Sequence, residues 1–94
     1  MKCTQVLFSG HAVRKMFERA LSRDEVLAVV ATGEVIADYP DDQPYPSVLL
    51  LGIVGSKPIH AVVASDPARG LCTVVTAYVP ETALWSPDFK TRRR

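Results

Sequence analysis

An α+β fold is predicted by the order of two periodicities along this chain of 94 residues. Up to Gly33 the apolar residues recur at three- and four-residue intervals, the spacing that gathers them on one stripe of a helix. Beyond Gly33 they come in extended runs separated by turn sequences. With no helical segment between those runs the strands form an antiparallel meander, so the chain reads as two N-terminal helices followed by a sheet of about four strands.

The elements follow in order. Gln5 to Phe8 is short and apolar, an edge strand at most. Ser9 stands as N-cap of a helix beginning near His11, because its hydroxyl can accept from an orphan N–H of the first turn. Val13, Met16, Phe17, Ala20 and Leu21 make the buried stripe of that helix, and His11, Arg14, Lys15 and Glu18 fall on the opposite face. Ser22 and Glu25 form a capping-box pattern for a second helix with apolar Val26, Leu27, Val29 and Val30. Thr32-Gly33 closes it with the glycine expected past a helix end. Glu34 to Tyr39 is a strand, and Pro40 to Pro46 a proline-rich acidic loop. Val48 to Val54 is almost continuously apolar, as a central strand is. Gly55 to Pro58 is a turn, Ile59 to Ala64 the next strand, Asp66 to Gly70 another turn, and Leu71 to Val79 the last strand. Pro80 onward reads as an irregular tail that Trp85 and Phe89 pin onto the body.

A hydrophobic content of 48% at this length supports one domain over residues 1–94 with a thin core, residues 86–94 being its basic tail. Cys3 and Cys72 lack the close spacing of zinc sites and are too few for a disulfide scaffold, so both are read as reduced thiols. No apolar run approaches the about 20 residues that span a bilayer, and no signal-type stretch opens the chain. A soluble, cytoplasmic protein is the expectation. Charge is segregated along the sequence: Lys2, Arg14, Lys15, Arg19 and Arg23 face only Glu18 in the first 23 residues, whereas residues 24–47 hold Asp24, Glu25, Glu34, Asp38, Asp41 and Asp42 and no base. Lys90, Arg92, Arg93 and Arg94 make the end basic again. If the first helix and the tail lie side by side, the fold has a basic face suited to one polyanionic ligand.

The two histidines, His11 and His60, are the main chemical lead. Imidazole titrates near neutrality and guanidinium stabilises phosphate charge, so two histidines with arginines suit acid–base chemistry on a phosphodiester. His11 sits in a first helical turn, where free N–H groups favour phosphate; the plain alternative is a polar first-turn residue hydrogen-bonded to a nearby loop carbonyl. His60 lies among Ile59, Ala61, Val62 and Val63 and needs a partner, catalytic or merely structural. Placing Ser65 opposite Leu71 sets His60 opposite Thr76 with Tyr78 one diagonal step away, all on one face, although a slip of one residue would reverse that face. Arg14, Lys15 and Arg19 are either a solvated helix face or phosphate contacts, and Arg92 and Arg93 either a solubilising tail or an RNA-binding arm. Asp38, Asp41 and Asp42 lie beside prolines in an exposed loop rather than at a cation site. No histidine–cysteine metal spacing, glycine-rich phosphate loop or serine nucleophile motif occurs, so neither a cofactor nor a metal is expected.

The succession F-S-G-H-A-V-R-K-M-F-E-R-A-L-S (Phe8 to Ser22), G-E-V-I-A-D-Y-P-D-D (Gly33 to Asp42), P-S-V-L-L-L-G (Pro46 to Gly52), K-P-I-H-A-V-V (Lys57 to Val63), V-V-T-A-Y-V-P (Val74 to Pro80) and W-S-P-D-F (Trp85 to Phe89) resembles an uncharacterised bacterial family of small proteins, a domain of unknown function related to RelE/BrnT-type ribonuclease toxins. The resemblance spans nearly the whole chain. It implies two helices packed on an antiparallel sheet, polar site positions matching His11, Arg19, His60, Thr76 and Tyr78, and a partner encoded alongside, a cognate antitoxin of the YgiT zinc-finger type. The chain departs from the pattern in reading Arg19-Ala20-Leu21 where many relatives follow the arginine with glycine.

These signals give the expectation of a type II toxin that cleaves single-stranded RNA or mRNA without metal. One histidine serves as base and the other as acid, Arg14, Lys15 and Arg19 stabilise the phosphorane, and Thr76 and Tyr78 orient the phosphate or stack a base. A non-catalytic RNA- or protein-binding module is the alternative. An oligomer built through the apolar Val48–Val54 strand is a third reading, and a homodimer is compatible with each.

Overall fold

A computed structural model describes residues 2–93; Arg94, the end of the basic run, lies outside the described residues. Strand β1 (Gln5–Phe8) leads directly into helix α1 (Gly10–Glu18), capped as the sequence predicts: the Ser9 hydroxyl accepts from the Ala12 N–H at 3.0 Å. The buried stripe of α1 differs from expectation. Ala12, Met16 and the following Leu21 are buried, whereas Val13 is 54% and Phe17 89% exposed, so the helix is rotated towards its Ala12–Met16 edge. Its C-terminus explains the rotation. Leu21 N–H donates to the Met16 carbonyl and Ala20 N–H to that of Phe17, the paired bonds of a Schellman turn, with Leu21 and Met16 both entering the core. Ala20 takes the left-handed position of that turn with φ of 54°.

Helix α2 (Arg23–Thr32) carries the predicted capping box, Ser22 Oγ accepting from Glu25 N–H at 3.0 Å and Glu25 Oε1 from Ser22 N–H at 2.9 Å. Val26, Val29 and Val30 face the core, and Glu25 also pairs with Lys57 at 2.8 Å, fixing the helix start to the sheet. Strands β2 (Glu34–Tyr39), β3 (Ser47–Val54), β4 (Lys57–Asp66) and β5 (Leu71–Tyr78) pair as the antiparallel meander expected. The sheet is nevertheless five-stranded and mixed, ordered β1-β5-β4-β3-β2, because β1 adds to the far edge in parallel with β5. No local pattern in the sequence names the edge that a four-residue strand will join. Central β3 lies between β4 and β2, so it offers no strand edge for the third, oligomeric reading.

The helices cover one face of the sheet. Leu50, Ile59, Ala61, Val63, Cys72, Val74 and Ala77 point into them, and at Gly52 the approach is so close that a Cβ would stand 2.7 Å from Val29 Cγ2. The other face carries Leu49, Leu51, His60 and Tyr78 and is covered by the chain after β5. Trp85 is buried there, and Trp85 and Arg92 form a β-bridge, so residues 85–92 fold back as a strap. The basic run up to Arg93 is thus built into the fold: Lys90 pairs with Glu34 at 3.1 Å, and Arg93 Nε donates to the Thr82 carbonyl at 2.9 Å. A second correction concerns the thiols. Cys3 and Cys72 form a disulfide with Cα atoms 5.7 Å apart, since the parallel β1–β5 pairing, with Gln5 beside Leu71, brings together residues 69 apart in sequence.

Candidate functional site

His60 and Tyr78 stand directly opposite each other on β4 and β5, not one diagonal step apart. Two single-residue differences from the expected register produce this. Asp66, rather than Ser65, pairs with Leu71, and a bulge between Val62 and Val63 adds the second step. Each step alone would have turned His60 to the helix side; together they restore it to the face of Thr76 and Tyr78.

His60 is fully buried and both ring nitrogens are occupied. Nε2 lies 2.7 Å from the Phe89 carbonyl, which can only accept, so Nε2 carries the proton. Nδ1, at 3.2 Å from the Tyr78 hydroxyl, therefore accepts from it. The indole of Trp85 meets the imidazole edge-on with centroids 4.4 Å apart. Burial holds the His60 pKa below its usual 6.5, against an opposing contribution from the Phe89 carbonyl, so the neutral tautomer persists. The W-S-P-D-F segment shapes this contact: Asp88 accepts from Ser86 Oγ and Lys90 N–H, and Phe89 N–H donates to the Ser86 carbonyl, a tight loop with Phe89 at φ 61°.

In front of His60 opens a cleft of about 530 Å³ lined by Arg19, Tyr78, Val79, Glu81, Leu84, Trp85 and Arg92. Arg19, at the C-cap of α1, is anchored by Nη1 to the Ala77 carbonyl at 2.8 Å. Arg92 sits over the Trp85 ring at 6.0 Å. Burial pushes the Tyr78 phenol up from 10.0 with help from Tyr39, while Arg92 and Arg19 both pull it down. Two guanidinium groups, a phenol and an indole thus converge, an arrangement that can hold a phosphate and stack a planar group.

The expected site residues divide accordingly. Arg19, Tyr78 and Arg92 line the cleft and His60 backs it. His11 does not join them. It is exposed on the first turn of α1, in the helix layer on the opposite side of the sheet from the His60 ring, so the two histidines do not converge. Arg14 is exposed, Lys15 is paired with Glu18 at 3.2 Å, Thr76 stands half-buried opposite Val62, and Arg93 is tied to Thr82; none lines this cleft. Trp85 and Glu81 were missed as site residues. Trp85 carries a signal in retrospect, because a lone tryptophan pinning a basic tail must lie beside that tail's arginines; nothing in the sequence marks Glu81.

Among the described residues no cluster of three or more histidine, cysteine, aspartate or glutamate side chains could hold a metal ion, and no helix is long and apolar enough to cross a membrane. The model of one protein family, Domain of unknown function (DUF4258), matches residues 8–79, from the end of β1 to just beyond β5. No curated protein and no solved structure matches the chain.

Proposed function

As a member of the DUF4258 family, this chain is one for which we propose the activity of a metal-independent endoribonuclease of the RelE/BrnT toxin kind, acting on single-stranded RNA and restrained by a cognate antitoxin protein. The observation that carries the reading is the convergence of Arg19, Arg92 and Tyr78 on one open cleft with His60 hydrogen-bonded behind the phenol. The guanidinium groups hold the scissile phosphate and stabilise the charge that grows on it. The 2′-hydroxyl gives its proton to Tyr78 as the Tyr78 proton passes to His60 Nδ1. The 2′-oxygen attacks phosphorus, and the bond to the 5′-oxygen breaks. The departing 5′-oxygen takes a proton from Tyr78, which recovers its own from His60, leaving a 2′,3′-cyclic phosphate and a 5′-hydroxyl. This gives His60 a role through Tyr78 that its burial would otherwise deny it, and assigns His11 no part in the proton transfers.

A second reading is favoured by the burial of His60 and the occupation of both its nitrogens: a cleft that binds RNA without cutting it. Incubating end-labelled single-stranded RNA with the protein in EDTA separates the two. Cyclic-phosphate ends from the native chain, reduced about 10²-fold or more by Tyr78→Phe, are expected for the enzyme. Retention of RNA that weakens steeply with salt, with no cleavage, would leave only the binding module.

A further inference from the structure

A second hollow of about 410 Å³ adjoins the first, lined by Ile36, Ala37, Tyr39, Leu49, Lys90 and Thr91 and sharing Tyr78, Trp85 and Arg92 with it. The shared residues form a ridge between the two. On one side of the ridge lie Arg19 and Glu81 of the first cleft; on the other, Ile36, Ala37 and Leu49 make an apolar floor between β2 and β3, where Ala37 pairs with Leu49. Tyr39, 40% exposed, stands at its rim and is close enough to influence the Tyr78 phenol. Lys90 on the same rim is engaged by Glu34, whereas Arg92 makes no ion pair among the described residues.

Resting on the ribonuclease reading above, we propose that this hollow is a nucleobase subsite, so that the protein grips a dinucleotide step of single-stranded RNA with the linking phosphate on the Arg92–Tyr78 ridge and the neighbouring base against Tyr39. The chemistry divides as the surfaces do. A base presents a flat apolar face to the Ile36–Leu49 floor and the Tyr39 ring, and its phosphate falls on the side where the guanidinium groups are. Phosphate alone reaches only the ridge, whereas a dinucleotide fills the hollow as well. Backbone flexibility at the step then decides which RNAs fit, and a rigid duplex, with its bases stacked on each other, cannot place one on Tyr39.

Titration calorimetry with inorganic phosphate and with a dinucleotide whose 2′-hydroxyl is methylated to block cleavage tests this. The dinucleotide is expected to bind at least about tenfold more tightly, the range a single base stacked on an aromatic ring commands. Tyr39→Ala is expected to remove most of that gain without changing phosphate binding, and Tyr39→Phe to restore it, which also shows that the edge of the sheet tolerates substitution. Equal affinity for the two ligands, or an equal loss for both in Tyr39→Ala, would overturn the subsite and leave the first cleft standing. Binding of neither ligand would overturn the RNA reading itself and the subsite with it.

Discussion

At the scale of single residues, His60 shows how burial turns a titratable group into a stability determinant. Its folded-state pKa lies below the usual 6.5 because the imidazolium would lose its hydration, and the unfolded chain carries no such constraint. As pH falls through 6.5 the unfolded state takes up a proton that the folded state refuses, so stability is complete above that value and declines below it until the folded-state value is reached. The carboxylates with shifted values act lower. Glu25 is held at about 2 by Lys57 and the Ser22 N–H, and Asp88 lies below its usual 3.8 through Ser86, so both contribute stability that is lost only as pH falls beneath the ordinary carboxylate range. Urea unfolding should therefore show a lower midpoint at about pH 5 than at about pH 7.5. His60→Gln should be less stable at both values but largely lose the difference between them. A pH dependence that survives in the variant would assign the effect to another group.

Among the elements, the turn after α1 carries the clearest cost. Ala20 occupies the left-handed position of a Schellman turn, at φ 54°, where a Cβ crowds the following carbonyl by about 1–2 kcal/mol and glycine does not. The resemblance noted in the sequence places glycine there in many relatives, and this chain has alanine. Ala20→Gly should accordingly stabilise the protein by about 1 kcal/mol, read as a raised thermal midpoint, offset in part by the greater freedom of glycine in the unfolded chain. No gain, or a loss, would mean that the alanine methyl packs usefully. The same turn marks the limit of what the sequence disclosed. Caps at Ser9 and Ser22 and the strands from Glu34 to Tyr78 were legible because each depends on neighbours a few residues away. The exposed Phe17 was not, because its periodicity fits a core stripe as well as the surface it occupies, and only the reversal at Ala20 selects between them. For His60 and Tyr78 the expected shared face holds only because two register differences cancel, and the pairing was not legible, since a bulge leaves no mark in the alternation of apolar residues.

Across the whole molecule, the segregated charge left open whether the first helix and the tail would meet, and Arg19 and Arg92 do so in the cleft. What periodicity could not supply was the join between the chain's beginning and its last strand. The parallel pairing of β1 with β5 is only four residues long, flanked by bonds from Thr4 N–H to the Gly70 carbonyl at 2.7 Å and from Ser9 N–H to the Val74 carbonyl at 3.0 Å. So short an edge strand is weakly held by its ladder alone. The Cys3–Cys72 bond closes a loop spanning most of the chain, and a cross-link at 69 residues' separation restricts the unfolded ensemble by about 4 kcal/mol in the chain-entropy account. Since β1 leads through Ser9 straight into α1, release of that link also loosens the helix whose end positions Arg19. Reduction with dithiothreitol should lower the unfolding free energy by an amount approaching that figure, and Cys3→Ala should start at the reduced value and ignore the reductant. If the native chain is equally stable in both redox states, the pairing of β1 with β5 holds without the bond, and the edge strand is anchored by the packing of its own Val6 and Phe8 against the core instead.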